Sequence, residues 1–190
     1  MGFIRTFIAF DTPNDIRNKM SILQEELRQS RADVKWESSD KFHATIKFLG
    51  NVDENLLSKV VSICNDGLSN YSSFIINYQY LGCFPNKKHP RVIWIGCENL
   101  DGAILKLKNA LDKDLAPLGF EIENRSFHPH ITIGRVRSEK GFSNLLPMLE
   151  NLTFERQEAT IREILIMKSI LKPEGSEYSV LKTIQLKRID

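Results

Sequence analysis

Two stretches of this chain share one pattern. Phe42-His43-Ala44-Thr45-Ile46-Lys47-Phe48-Leu49-Gly50 and Phe127-His128-Pro129-His130-Ile131-Thr132-Ile133-Gly134-Arg135 each contain His-apolar-Thr-apolar in a β-prone run. Side chains alternate along a strand, so His43 and Thr45 share one face while Ala44 and Ile46 share the other. His130 and Thr132 are arranged in the same way. Taken singly, a His-x-Thr strand reads as a half-buried polar face with its hydrogen bonds satisfied. The chain has only four histidines, however, and two of them occupy matched strands. A fold that lays these strands side by side brings two imidazoles and two hydroxyls to one site.

The rest of the chain supplies the elements such a fold needs. Phe3 to Phe10 is a strand ending at Asp11-Thr12-Pro13, with Thr12 as a helix cap and Pro13 in the first turn. Ile16, Met20, Leu23 and Leu27 then form a helical stripe. Val34 to Trp36 reads as a short strand before the first motif. Asp53 opens a second helix that buries Leu56, Leu57, Val60, Ile63 and Cys64 and stops at Gly67 or Asn70. Phe74 to Leu81 and Arg91 to Gly96 read as strands around a loop with Lys87, Lys88 and His89. Asp101 caps a helix carrying Ile104, Leu107, Leu111 and Leu115, which Gly119 ends. After the second motif come a short helix over Phe142 to Leu149 and strands near 154–159, 163–171 and 178–187, with a turn at Lys172-Pro173-Glu174-Gly175. Each half of the chain alternates strand and helix around one His-x-Thr strand, which predicts a duplicated, two-lobed α+β fold in one domain, residues 1–190.

Composition removes several classes of function. The 26 basic and 24 acidic residues leave a net charge of +2, so nucleic acid, if bound, meets a local patch rather than a basic protein. Three cysteines, Cys64, Cys83 and Cys97, show no Cys-x-x-Cys spacing and read as small core hydrophobes in a reducing, cytoplasmic setting. No apolar run reaches the length of a membrane span. Nothing in the sequence indicates an extended interface, and a monomer is the expectation.

Histidine titrates near pH ~6.5, so of two imidazoles in one cleft one can be neutral and one protonated. Such a pair suits attack on a phosphodiester: one histidine takes a proton from the nucleophile and the other gives one to the departing oxygen. Threonine hydroxyls on the same face can then hold the non-bridging oxygens. This chemistry needs no metal or other cofactor, and a strained cyclic phosphate is its natural target.

His43-Ala44-Thr45-Ile46-Lys47-Phe48-Leu49-Gly50 and Pro129-His130-Ile131-Thr132-Ile133-Gly134-Arg135 resemble the two signature motifs of the two-histidine phosphoesterases. Within that superfamily the chain is most similar to the RNA 2′,3′-cyclic phosphodiesterases of bacteria and archaea, also called 2′-5′ RNA ligases. The likeness extends to Arg5-Thr6-Phe7-Ile8-Ala9-Phe10-Asp11, Val34-Lys35-Trp36 and Pro90-Arg91-Val92-Ile93-Trp94. It implies a bilobal α+β fold, two antiparallel-rich sheets flanking a central cleft with helices outside. It also implies hydrolysis of a 2′,3′-cyclic phosphate at an RNA end to a 2′-phosphomonoester. By that resemblance His43 donates a proton to the 3′ oxygen, His130 activates water, and Thr45 and Thr132 bind the phosphate. The same groups would make a 2′-5′ linkage when an RNA 5′-hydroxyl replaces water. tRNA halves, other cyclic-ended RNAs, small cyclic nucleotides and 2′-5′ oligonucleotides all belong to the substrate range so implied.

Further candidates are Arg135, Arg91 and Phe48. Arg135 falls on the face opposite His130 in an ideal strand, so a phosphate role requires a twist or bulge. Phe48 could stack on a base or belong to the core. Arg91, with Lys87, Lys88 and His89, forms a compact basic cluster that suits an RNA end or simply faces water. Lys47 shares the ideal-strand face of His43 and is expected to end in solvent, and His128 is expected to be structural. Two other readings stay open: a metal-dependent hydrolase using His43, His128 and His130, and a non-catalytic RNA-binding module.

Overall fold

The computed structural model describes residues 2–173 and 175–188. Its elements are β1 (Phe3–Asp11), α1 (Asn14–Arg28), β2 (Val34–Trp36), β3 (His43–Asp53), α2 (Glu54–Leu68), β4 (Phe74–Phe84) and β5 (Val92–Glu98). α3 (Ala103–Leu115), β6 (His130–Val136), α4 (Phe142–Asn151), β7 (Gln157–Ile161), β8 (Glu163–Lys172) and β9 (Gly175–Gln185) complete the chain. The turn expected between β8 and β9 includes Glu174, which lies outside the described residues.

The helices form where the apolar spacing puts them. Ile16, Met20, Leu23 and Leu27 are buried along α1, and Ile104, Leu107, Leu111 and Leu115 along α3. The α2 cap is as expected, with Asp53 Oδ1 accepting from the Asn55 N–H at 2.8 Å. Four local expectations fail. Gly102, not Asp101, is the N-cap of α3, although Asp101 Oδ1 accepts from the Ala103 N–H at 2.9 Å. Pro13, not Thr12, precedes α1, and no side chain caps it. The line of α2 that faces the core runs through Leu57, Val60, Cys64 and Leu68; Leu56, about 100° off that line, is 36% exposed. α2 also continues through Gly67 to Leu68, and Ser69 completes its last turn in an ordinary right-handed conformation.

The described strands form one nine-stranded sheet in the order β7-β4-β5-β6-β3-β1-β8-β9, with β2 added to β6. Every pairing between these strands is antiparallel. The two sheets expected from the sequence are the halves of this one sheet, and β3 and β6 join them through the single pair Ala44↔Ile131. All four helices contribute to one apolar core against one face of the sheet; the opposite face is left to form the cleft. No helix among the described residues is long and apolar enough to cross a membrane.

The lobes do not divide the chain in the middle. β1, β3, β8 and β9 make one lobe, so the C-terminal hairpin returns to the N-terminal strands, and β4 to β7 with β2 make the other. Each lobe places one motif strand at the seam.

Candidate active site

Ala44 and Ile131, the pair at the seam, are wholly buried in the core. Their neighbours on each strand therefore point the other way, into the cleft. Carrying the antiparallel register one residue in each direction sets His43 across from Thr132 and Thr45 across from His130. Each imidazole thus faces the hydroxyl of the other lobe. All four line a single cavity of about 380 Å³, together with Phe48 and Arg135.

Phe48 and Arg135 reach the cavity because each motif strand carries a bulge at the same place. Between the Thr45↔Ala9 and Lys47↔Ile8 pairs, β3 has one extra residue, Ile46; between Thr132↔Trp94 and Gly134↔Ile93, β6 has one extra residue, Ile133. An extra residue reverses the alternation beyond it. Phe48 therefore turns to the cleft and is 48% exposed, with the Arg5 guanidinium 4.5 Å over its ring. Arg135 turns with it, its Nε donating to Glu37 Oε1 at 3.1 Å.

The same bulge reverses the expectation for Lys47, which is 3% exposed rather than solvated. Its Nζ donates to Asp112 Oδ1 at 2.5 Å and to the Glu121 carbonyl at 2.7 Å. Lys108 mirrors it from α3, pairing with Asp112 Oδ2 at 2.5 Å and donating to the Glu123 carbonyl at 2.9 Å. Two buried lysines on one aspartate thereby pin the irregular segment that leads into β6.

Both imidazoles are held by the residue two positions upstream. His130 Nδ1–H donates to the His128 carbonyl at 2.7 Å, which leaves Nε2 as the unprotonated nitrogen of the neutral ring. The His43 ring makes a backbone hydrogen bond with Lys41. Aromatic rings fix both. Phe7 stacks on His43 with centroids 5.0 Å apart and Tyr178 meets it edge-on at 4.9 Å; Phe84 meets His130 edge-on at 5.1 Å, and Trp94 lies 6.1 Å away. Burial pulls the His43 pKa down to about 4, with Arg17 and Arg135 adding to the shift and the Lys41 bond opposing it. Burial also lowers His130, against the bond to His128, with Arg135 and His128 adding. Burial thus biases both rings toward the neutral form, and the pairing of one neutral with one charged ring read from the sequence requires a neighbouring anion to stabilise the imidazolium.

Among the described residues, Arg5, Lys41 and Arg135 face the cavity against the one carboxylate of Glu37, a balance that suits a phosphate. Arg91 is exposed just before β5 and does not line this cavity. Lys87, Lys88 and His89 are exposed in the β4–β5 loop, where Asn86 Oδ1 accepts from the Lys88 and His89 N–H groups. His128 lines a second cavity, which shares His130 with the first. Among the described residues no three His, Cys, Asp or Glu side chains come together to hold a metal ion, so His43, His128 and His130 do not form the ligand set of the metal-dependent reading. No motif in the sequence marks Phe7, Tyr178 or Glu37 as a site residue. Phe7 lies in a mostly apolar run without clear alternation, and nothing local marks Tyr178.

The family described as LigT-like phosphoesterase matches the chain twice, over residues 10–94 and 95–178. The chain belongs to the LigT-like phosphoesterases. Relatives named RNA 2′,3′-cyclic phosphodiesterase include one from Methanothermobacter thermautotrophicus, 31% identical over 96% of this chain and 99% of its own length. Another, from Thermotoga maritima, is 34% identical over 96% of this chain and 95% of its own. Among solved structures, a protein of Thermus thermophilus superposes with a TM-score of 0.81 at 23% identity, covering 97% of this chain and 99% of that one. E. coli LigT complexed with 3′-AMP gives 0.77 at 23% identity, covering 97% and 98%. The double match places this LigT-like chain's two motif strands in two copies of one family unit.

Proposed function

We propose that this LigT-like phosphoesterase is an RNA 2′,3′-cyclic phosphodiesterase whose two lobes work as a single domain over residues 1–190. The observation that carries the reading is the crossed quartet at the seam, His43 facing Thr132 and His130 facing Thr45 over one cationic cavity. His130 Nε2 takes a proton from water, the resulting hydroxide attacks phosphorus, and the bond to O3′ breaks. His43 gives O3′ its proton, and the phosphate stays on O2′ as a monoester. Thr45, Thr132 and Arg135 hold the non-bridging oxygens, while Phe48 and the Phe7–Tyr178 wall flank the nucleoside.

The relatives' names and the nucleotide bound in the E. coli LigT structure support this choice of substrate class. Both low-pKa rings fit a site completed by its ligand, because a bound phosphate anion stabilises the imidazolium that His43 must form. Arg91 and its loop serve as an outer contact for longer RNA. A cytoplasmic monomer acting on RNA ends, tRNA halves among them, is the form in which we place the activity. The test is an RNA oligomer ending in a 2′,3′-cyclic phosphate, incubated with the purified protein in excess EDTA. A 2′-phosphate product is expected; a 3′-phosphate, or opening that EDTA abolishes, overturns the mechanism.

A further inference from the structure

β4 carries an extra residue at Tyr80, where its register against β5 slips between Gln79 and Leu81. The backbone there has φ of 64°, a left-handed conformation that a bulky side chain adopts at a cost and that is worth explaining where it occurs. The bulge turns the Tyr80 ring outward, 60% exposed. It borders the second cavity, also of about 380 Å³, with Phe84, Trp94, His128 and His130.

That cavity is built for a flat ring. The Trp94 indole lies directly against the backbone of its neighbours: a Cβ at Gly82 would stand 2.3 Å from the indole, and one at Gly96 would stand 3.4 Å from it. Glycine at 82 leaves the space the indole fills, whereas a Cβ at 96 would stand 2.8 Å from the Gln79 carbonyl oxygen. Phe84 meets Trp94 with centroids 5.0 Å apart. Among the described residues no lysine or arginine lines the cavity, and its carboxylate, Glu98, is engaged by the Gln79 side-chain amide. The first cavity is cationic and suits phosphate; the second is aromatic and uncharged in character, the surface on which a nucleobase stacks.

The two cavities share one residue, His130. In the proposed mechanism the ribose bearing the cyclic phosphate lies toward His43, which protonates O3′, and the nucleophile approaches in line from the His130 side. Whatever is bonded to the nucleophilic oxygen must extend past His130. Water leaves the second cavity unused, whereas a nucleoside with a free 5′-hydroxyl has its base where Tyr80, Phe84, Trp94 and His128 converge. We propose that this cavity is the subsite for the nucleoside on the 5′ side of a 2′-5′ linkage, with Tyr80 as its specificity-determining residue. The proposal rests on the reading of His43 and His130 given above. In the joining direction O5′ bonds to phosphorus as the bond to O3′ breaks, His130 taking the O5′ proton and His43 giving one to O3′. In the cleaving direction O3′ attacks, its proton passes to His43, and O5′ leaves with a proton from His130.

The experiment compares adenosine 2′,3′-cyclic phosphate with adenylyl-(2′→5′)-adenosine as substrates of the wild-type protein, Tyr80→Ala and Tyr80→Phe, each checked for an unchanged Tm. Tyr80→Ala is expected to raise KM for the 2′-5′ dinucleotide about tenfold, the range of one lost base–aromatic stack, and to leave kcat/KM for the cyclic mononucleotide within about twofold. Tyr80→Phe should retain both. Equal losses on the two substrates, no effect on either, or a wild-type protein that opens the cyclic phosphate but does not cleave the dinucleotide overturns the subsite. A wild-type protein inactive on both substrates overturns the phosphodiesterase reading itself.

Discussion

His43 and His130 are each gripped through a backbone bond two residues upstream and walled by two aromatic rings, one pair from each lobe. That packing fixes the rings in place, and it also lowers both pKa values below the ordinary 6.5. In the proposed mechanism the reactive form needs His43 protonated and His130 neutral. For the free enzyme the two limbs of kcat/KM therefore lie below pH 6.5, and kcat/KM for a cyclic mononucleotide is expected to fall as pH rises through 6.5 and beyond. Once bound, the phosphate's negative charge favours the imidazolium, so kcat should persist to higher pH than kcat/KM. A kcat/KM that instead climbs from pH 6.5 to 8 contradicts the assignment of these two rings as the free enzyme's acid and base.

At the scale of elements, the matched bulges at Ile46 and Ile133 decide what the motif strands present. His43, Thr45, His130 and Thr132 precede the bulges, and their shared face was legible from a period of two. Lys47, Phe48 and Arg135 follow them, and there strict alternation fails. Nothing in the residue types marks Ile46 or Ile133 as the unpaired member, because an isoleucine in a bulge and one in a paired strand are equally apolar. For Arg135 the sequence stated the condition, a bulge; for Lys47 it chose solvent, and the chain instead spends that side chain on Asp112. Removing the aspartate leaves two buried ammonium groups facing one another, so Asp112→Ala should lower unfolding free energy by about 3–5 kcal/mol, the range for breaking a buried pair. Urea denaturation measures this; a loss under about 1 kcal/mol would mean that the triad is not buried as described. α2 and its misplaced stripe carry the same lesson, since Leu56 and Leu57 are chemically alike and only packing against the sheet chooses between them.

Across the whole molecule, the motif repeat indicated two lobes but not how the chain fills them. The return of β8 and β9 to the N-terminal strands depends on long-range pairing with β1, which no local pattern encodes, and it is this return that brings Tyr178 to His43. In the proposed mechanism the consequence is a division of labour: the lobe of β1, β3, β8 and β9 carries the proton donor, and the lobe of β4 to β7 carries the base. The most direct test replaces the bridging 3′ oxygen of a 2′,3′-cyclic phosphate by sulfur, whose thiolate departs without a proton. Rates are then compared for the oxygen and sulfur substrates in His43→Ala and His130→Ala. On the oxygen substrate both variants should lose on the order of 10²–10⁴ in rate. On the sulfur substrate His43→Ala should return to within about tenfold of wild type while His130→Ala stays slow. Equal impairment of His43→Ala on both substrates, or rescue of His130→Ala in its place, would contradict the account.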